Sequence, residues 1–201
     1  MQIRVNGLKF LPLFFLIASS AQAGIFNMAH FVDHGQNAFG IEPEAVMSNG
    51  GGVAANLRYT QGLTELNDAF ALVGTGTNVR NFRIGGGFTF DFIPDVETQP
   101  GVGVGFQGIY YRYNQGVGQL ETSVVPYIHK QFSNGKGSSI EPFLAVPFGP
   151  AFRTGQYNWQ TQVALGAIFH EEHSVLRFIA EVGVNVNKTE SYFSGGILYQ
   201  P

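Results

Sequence analysis

The stretch Leu176-Arg177-Phe178-Ile179-Ala180-Glu181-Val182-Gly183-Val184-Asn185-Val186-Asn187 decides the fold. Leu176, Phe178, Ala180, Val182, Val184 and Val186 fall on one side of it. Arg177, Ile179, Glu181, Gly183, Asn185 and Asn187 fall on the other. A period of two is that of a β-strand, whose successive side chains point to opposite faces. Just upstream, Trp159, Thr161, Val163, Leu165, Ala167 and Phe169 alternate in the same way with Gln160, Gln162, Ala164, Gly166, Ile168 and His170. Such segments, about ten residues long and separated by turns, are the pattern of a transmembrane β-barrel.

Working outward, ten segments read as strands: 37–47, 52–60, 68–74, 81–92, 101–112, 120–130, 139–148, 157–169, 175–187 and 191–199. Turn chemistry separates most of them, at Ser48-Asn49-Gly50-Gly51, Gly74-Thr75-Gly76, Pro94-Asp95, Ser133-Asn134-Gly135 and Gly149-Pro150. The expectation is an all-β, closed, antiparallel up-and-down transmembrane β-barrel of about 10 strands, with 8 as the alternative count. The first and seventh segments carry Pro43, Pro142 and Pro147, each of which removes a ladder donor.

The N-terminus has the three parts of an export signal. Arg4 and Lys9 are followed by the apolar run Phe10–Ile17 and by Ala21-Gln22-Ala23, which predicts residues 1–23 as a signal peptide cleaved after Ala23. Residues 24–36 read as a periplasmic lead-in and 37–201 as the barrel. The formal charge is −3, more negative once Arg4 and Lys9 are removed, which argues against a nucleic-acid partner. Zero cysteines excludes disulfides, thiol catalysis and cysteine metal sites.

A secreted β-sandwich also alternates, but it dresses its polar faces and edges with lysine and glutamate. Here only Lys130, Lys136 and Lys188 follow the signal, and charged residues make up 12% of the chain, about half the usual quarter. The non-apolar faces instead carry Gly85, Gly87, Gly103 and Gly105, which suit a crowded barrel interior. Aromatics gather near strand ends, as interfacial girdles do: Tyr59, Phe92, Tyr110, Tyr113, Tyr157, Trp159, Phe169 and Tyr199.

The signal ending Ala21-Gln22-Ala23, the alternation through 37–199 and the aromatic-ended final strand Tyr192–Tyr199 together resemble the small outer-membrane β-barrel proteins of Gram-negative bacteria. The resemblance implies residence in the outer membrane, contact with its lipid, and insertion by the barrel-assembly machinery. Gln200 and Pro201 depart from the family pattern by following the terminal aromatic.

Several motifs carry less chemistry than they suggest. Gly103-Val104-Gly105-Phe106-Gln107-Gly108 matches G-x-G-x-x-G, yet lies inside an alternating strand where no helix can begin. His170-Glu171-Glu172-His173 lacks the i, i+4 histidine spacing of a helical zinc motif and reads as a polar turn. His30 and His34, with Asp33, have that spacing but no apolar helical stripe, so no metal or cofactor is expected.

Turning the apolar sides to lipid points Glu42, Glu44, Arg58, Arg83, Asp91, Glu121, His129, Glu141, His170, Arg177 and Glu181 into the lumen, with Asn56, Gln107, Gln160 and Gln162. Charges in a narrow barrel must be paired or hydrated. The expected function is a structural or surface-interaction role for a barrel with a largely filled polar lumen. The alternative is a narrow cation-preferring, porin-like channel. A lipid-modifying enzyme would need a nucleophile such as Ser123, Ser174, Ser191 or Ser194 beside His129 or His170. The alternation supplies no such pair, so no catalytic activity is expected.

Overall fold

The computed structural model describes residues 32–48, 51–77, 81–113, 116–135 and 137–201. The signal segment, the cleavage site and His30 lie outside the described residues.

Twelve strand segments form one sheet: β1 (Asn37–Val46), β2 (Gly52–Thr64), β3 (Asn67–Gly76), β4 (Phe82–Ile93), β5 (Gly101–Arg112), β6 (Gly118–His129), β7 (Phe132–Ser133), β8 (Ser138–Ala145), β9 (Phe148–Arg153), β10 (Gln156–Glu171), β11 (Leu176–Asn187) and β12 (Tyr192–Tyr199). β8 and β9 are two halves of one barrel strand, since both lie between β6 and β10. β7 is a two-residue extension paired with β8. The sheet therefore closes as ten antiparallel strands, with β1 pairing β12 from Phe39↔Tyr199 to Val46↔Tyr192. Closure leaves no edge, so each of the ten barrel strands has a hydrogen-bonding neighbour on each side.

The prolines explain the irregularities. The β1–β12 ladder pauses between Ile41↔Ile197 and Glu44↔Ser194, where Pro43 has no N–H to give. Ser194 Oγ spans the gap by donating to the Pro43 carbonyl at 2.8 Å. The turn expected at Gly149-Pro150 is a correction: both residues lie inside β9, and the chain reverses at Thr154-Gly155, where Gly155 has φ 72°. A proline that lacks a ladder partner looks like a turn in sequence. Here the β6–β9 ladder skips Thr122 and Ser123, opposite Pro150 and Gly149.

Both faces follow the alternation. Outward positions expose Ile41, Leu57, Phe88, Leu165, Phe178 and Ile197, while inward positions such as Glu42, Arg58, Gln162 and Glu181 are buried. Inward glycines make room for rings on the neighbouring strand. Register pairs Gly101↔His129, Gly103↔Tyr127, Gly166↔Phe143 and Gly183↔Tyr192 each lay a ring where a Cβ would stand.

Short segments fold against both mouths. At the end where β1 begins, Val32 is buried and its N–H points to Asp68 Oδ1 at 3.4 Å. Gly35 N–H bonds the Gly62 carbonyl, and Gly62 N–H bonds the Gln36 carbonyl, each at 3.0 Å. At the opposite, distal end, Thr189 and Glu190 are buried, and Gln162 Nε2 donates to the Glu190 carbonyl at 2.7 Å.

Candidate functional site: the barrel interior

The inward alternation of β1, β2 and β4 places four full charges in the lumen. Arg58 Nε bonds Glu42 Oε1 at 2.8 Å, and Arg83 Nη1 bonds Glu44 Oε2 at 3.0 Å. All four side chains are completely buried. The arginines also lie over aromatic faces, Arg58 at 4.3 Å from the Phe70 ring centre and Arg83 at 5.9 Å from that of Tyr111. Glu181 accepts a short hydrogen bond from the Tyr192 hydroxyl, and Glu121 accepts from Gln119 Nε2 at 2.9 Å. Carboxylates in excess of arginine are thus engaged by neutral donors.

A second cluster lies at the proximal mouth, the end where β1 begins. His129 sits between two carboxylates, with Nε2 at 3.1 Å from Asp91 Oδ2 and Nδ1 at 2.6 Å from Glu141 Oε1. The Tyr127 hydroxyl donates to Asp91 Oδ1 at 2.6 Å. One imidazole therefore ties β4, β6 and β8 together across the wall. Just outside, Lys130 pairs with Asp95.

Between the clusters lies an apolar and aromatic layer, with the small polar side chains Thr60 and Thr89 also buried at inward positions. Ile179 separates Arg177 from Glu181 along β11, and Val125 and Tyr127 separate Glu121 from His129 along β6. Ile168 separates Gln162 from His170 along β10. With Phe70, Leu72, Ile109, Tyr111 and Phe143 they form one buried cluster inside the barrel. Above it, a cavity of about 20 Å³ touches Gln107, Glu121, Ser123, Gln160 and Gln162. That is room for about one water molecule.

Of the residues expected in the lumen, Glu42, Glu44, Arg58, Arg83, Asp91, Glu121, His129 and Glu181 are buried there, and Glu141, His170 and Arg177 are half-buried. Tyr59, Phe92, Tyr110, Tyr157, Trp159, Phe169 and Tyr199 are exposed on the outer wall. Tyr113 is a correction. It packs half-buried against the interior cluster, with the Arg153 guanidinium 5.8 Å from its ring centre. Strand parity carried that signal, because Tyr113 lies an odd number of residues from outward Tyr110. Parity also marks Ile109, Tyr111 and Tyr127 as inward, which the rule that apolar side chains face lipid concealed.

The G-x-G-x-x-G match lies wholly within β5, and His170-Glu171-Glu172-His173 forms the end of β10 and its turn. Among the described residues no group of three or more acidic or histidine side chains is arranged to hold a metal ion, and both nitrogens of His129 are taken up by Asp91 and Glu141. Ser194 bonds the Pro43 carbonyl and Ser174 Oγ accepts from Leu176 N–H, while both nitrogens of His129 face carboxylates.

No protein-family model matches the chain, and no curated protein matches it. Among solved structures, it is similar to an outer-membrane channel from Pseudomonas putida F1, at 8% identity over 85% of this chain and 97% of that one, with a TM-score of 0.49. It is also similar to a designed transmembrane β-barrel, at 13% identity over 86% of this chain and 100% of the other, with a TM-score of 0.40. Both are likenesses of overall fold.

Proposed function

We propose that this chain is an outer-membrane β-barrel with a structural or surface-interaction role and a lumen closed by its own side chains. The outer wall supports a bilayer location. It exposes large apolar residues on every barrel strand, a surface that only hydrocarbon covers at low cost. The export signal and the short turns of a closed barrel agree with that location.

The observation that carries the closed-lumen reading is the apolar layer between the two charged clusters. Ions crossing it would give up their hydration against Phe70, Tyr127, Phe143, Ile168 and Ile179, while the nearest charges, Arg58 over the Phe70 ring and Asp91 on the Tyr127 hydroxyl, are already paired. The charges on either side hold each other in pairs and act as structural struts.

Planar-bilayer recording of the refolded protein tests this reading. The expected result is insertion without sustained conductance. A steady, cation-preferring current would replace the closed barrel with a narrow channel.

A further inference from the structure

We infer that the turn Val32–Gln36 is a displaceable stopper, seated on Gly62 inside the proximal mouth, whose release opens the acidic vestibule behind it; the inference deepens the closed-lumen reading and rests on it. Gly62 in β2 and Asp68 in β3 are direct cross-strand partners. Asp68 is buried on the lumen side with Phe70 and Leu72, and Gly62 shares the inward parity of Arg58 and Thr60. A Cβ on Gly62 would therefore point into the mouth. The nearest atoms it would meet are the carbonyl oxygens of Val32 and Asp33, both well inside contact distance. The missing side chain is what lets the turn lie against the inner wall.

The β1–β2 ladder runs on past Asn37 into Gln36 and Gly35, whose main chains bond that of Gly62 at 3.0 Å. There the chain folds back. Gln36 N–H bonds the Asp33 carbonyl at 2.9 Å, and Gly35 has φ 78°, the left-handed region that glycine enters without strain. The reversal carries Val32 into the mouth, buried, with its N–H toward Asp68. Asp33 lies within electrostatic reach of His170 in β10 and Arg177 in β11. β10 stands five strands from β3 in the ten-strand ring, so the turn spans the opening. Behind it lie Asp68 and its neighbour Asp91, then His129 and Glu141. Val32 and Asp33 can lift about Gly35 while Gly35 and Gln36 keep their bonds to Gly62, so release breaks no bond of the barrel ladder. A short segment held in this way opens locally, well below the cost of unfolding the barrel.

The chain has no cysteine, so an introduced one is a unique reporter. Single variants Val32→Cys, His34→Cys and Ala38→Cys are refolded in detergent micelles and treated with a charged maleimide. Each rate is divided by that of the same variant boiled and denatured. His34 is exposed on the turn, whereas Ala38 is buried at the proximal end of β1. Val32→Cys should react about 100-fold more slowly than His34→Cys. Adding Gly62→Val pushes the turn off its seat, so the Val32→Cys rate should rise to within about threefold of His34→Cys, and Ala38→Cys should accelerate with it. Asp68→Ala, which removes the acceptor of the Val32 N–H, releases the turn from its other side. Heat-modifiable gel mobility identifies the folded variants, and the second release variant serves if the first does not fold. Equal rates at Val32→Cys and His34→Cys without either change overturn the stopper. Protection of Val32→Cys that survives both changes overturns its seat on Gly62 and Asp68. A freed Val32→Cys beside an unchanged Ala38→Cys overturns the opening of the vestibule. The closed lumen fails separately, by a steady current from the wild type in planar bilayers.

Discussion

Arg83 in β4 bonds Glu44 in β1, although two strands of the wall lie between them. The intervening inward residue of β3, opposite Arg83, is Gly74, and a Cβ there would come within 3.0 Å of the Arg83 Cγ. The guanidinium crosses the lumen over a glycine. A cross-lumen strut of this kind ties together staves that the hydrogen-bond ladder does not join directly.

Replacing Arg83 with methionine removes that strut and leaves Glu44 buried without its guanidinium. The expected cost is about 3–5 kcal/mol. Glu44→Gln in the same background should return part of it. Equilibrium urea unfolding in vesicles measures both, and simple additivity of the two single costs would show that the pair is not coupled.

Gly183 lies beneath the Tyr192 ring, whose hydroxyl bonds Glu181. Gly183→Val should displace the ring and cost about 1–3 kcal/mol through overpacking. Tyr192→Phe removes only the hydroxyl and should cost about 1–3 kcal/mol by leaving Glu181 short of a donor. If the double variant costs the full sum of the two, the ring does not depend on the glycine.

Leu165 and its register partner Val182 face outward in the middle of long strands. Arginine at either should cost about 2–4 kcal/mol in a bilayer, against about 0–1 kcal/mol for Val186→Arg near the distal rim. Folding free energies in vesicles would reveal the depth dependence. Equal costs at Leu165 and Val186 would mean that the apolar wall does not sit in hydrocarbon.

The apolar layer can be thinned. Phe143→Ala alone should cost about 3–5 kcal/mol by opening a cavity. Combined with Phe70→Ala and Ile168→Ala, it should let ions pass where the wild type is silent. A triple variant that folds yet stays silent in planar bilayers would move the seal elsewhere, to the segments at the mouths.

The ten strands were legible because side-chain direction in a strand is local: each residue points opposite to its neighbour whatever the rest of the chain does. Strand ends were less legible. Pro150, read as a turn, continues a strand because its missing donor meets a gap in the neighbouring ladder. The polar lumen residues were legible for the same local reason. The aromatic and apolar ones, Phe70, Tyr111, Tyr127 and Phe143, were not, because a narrow closed barrel must fill its interior with whatever side chains point inward.

By itself, then, the order of residues determined the strands, their two faces and the closed all-β architecture they build. Tertiary structure alone decided which inward groups meet. Glu44 and Arg83 are 39 residues apart, and Asp91 and His129 are 38. Their encounter depends on the stagger between strands and the width at which the sheet closes, neither of which any single strand records. The physical reason is that alternation is a property of one strand, whereas a strut or a seal is a property of several strands held in register.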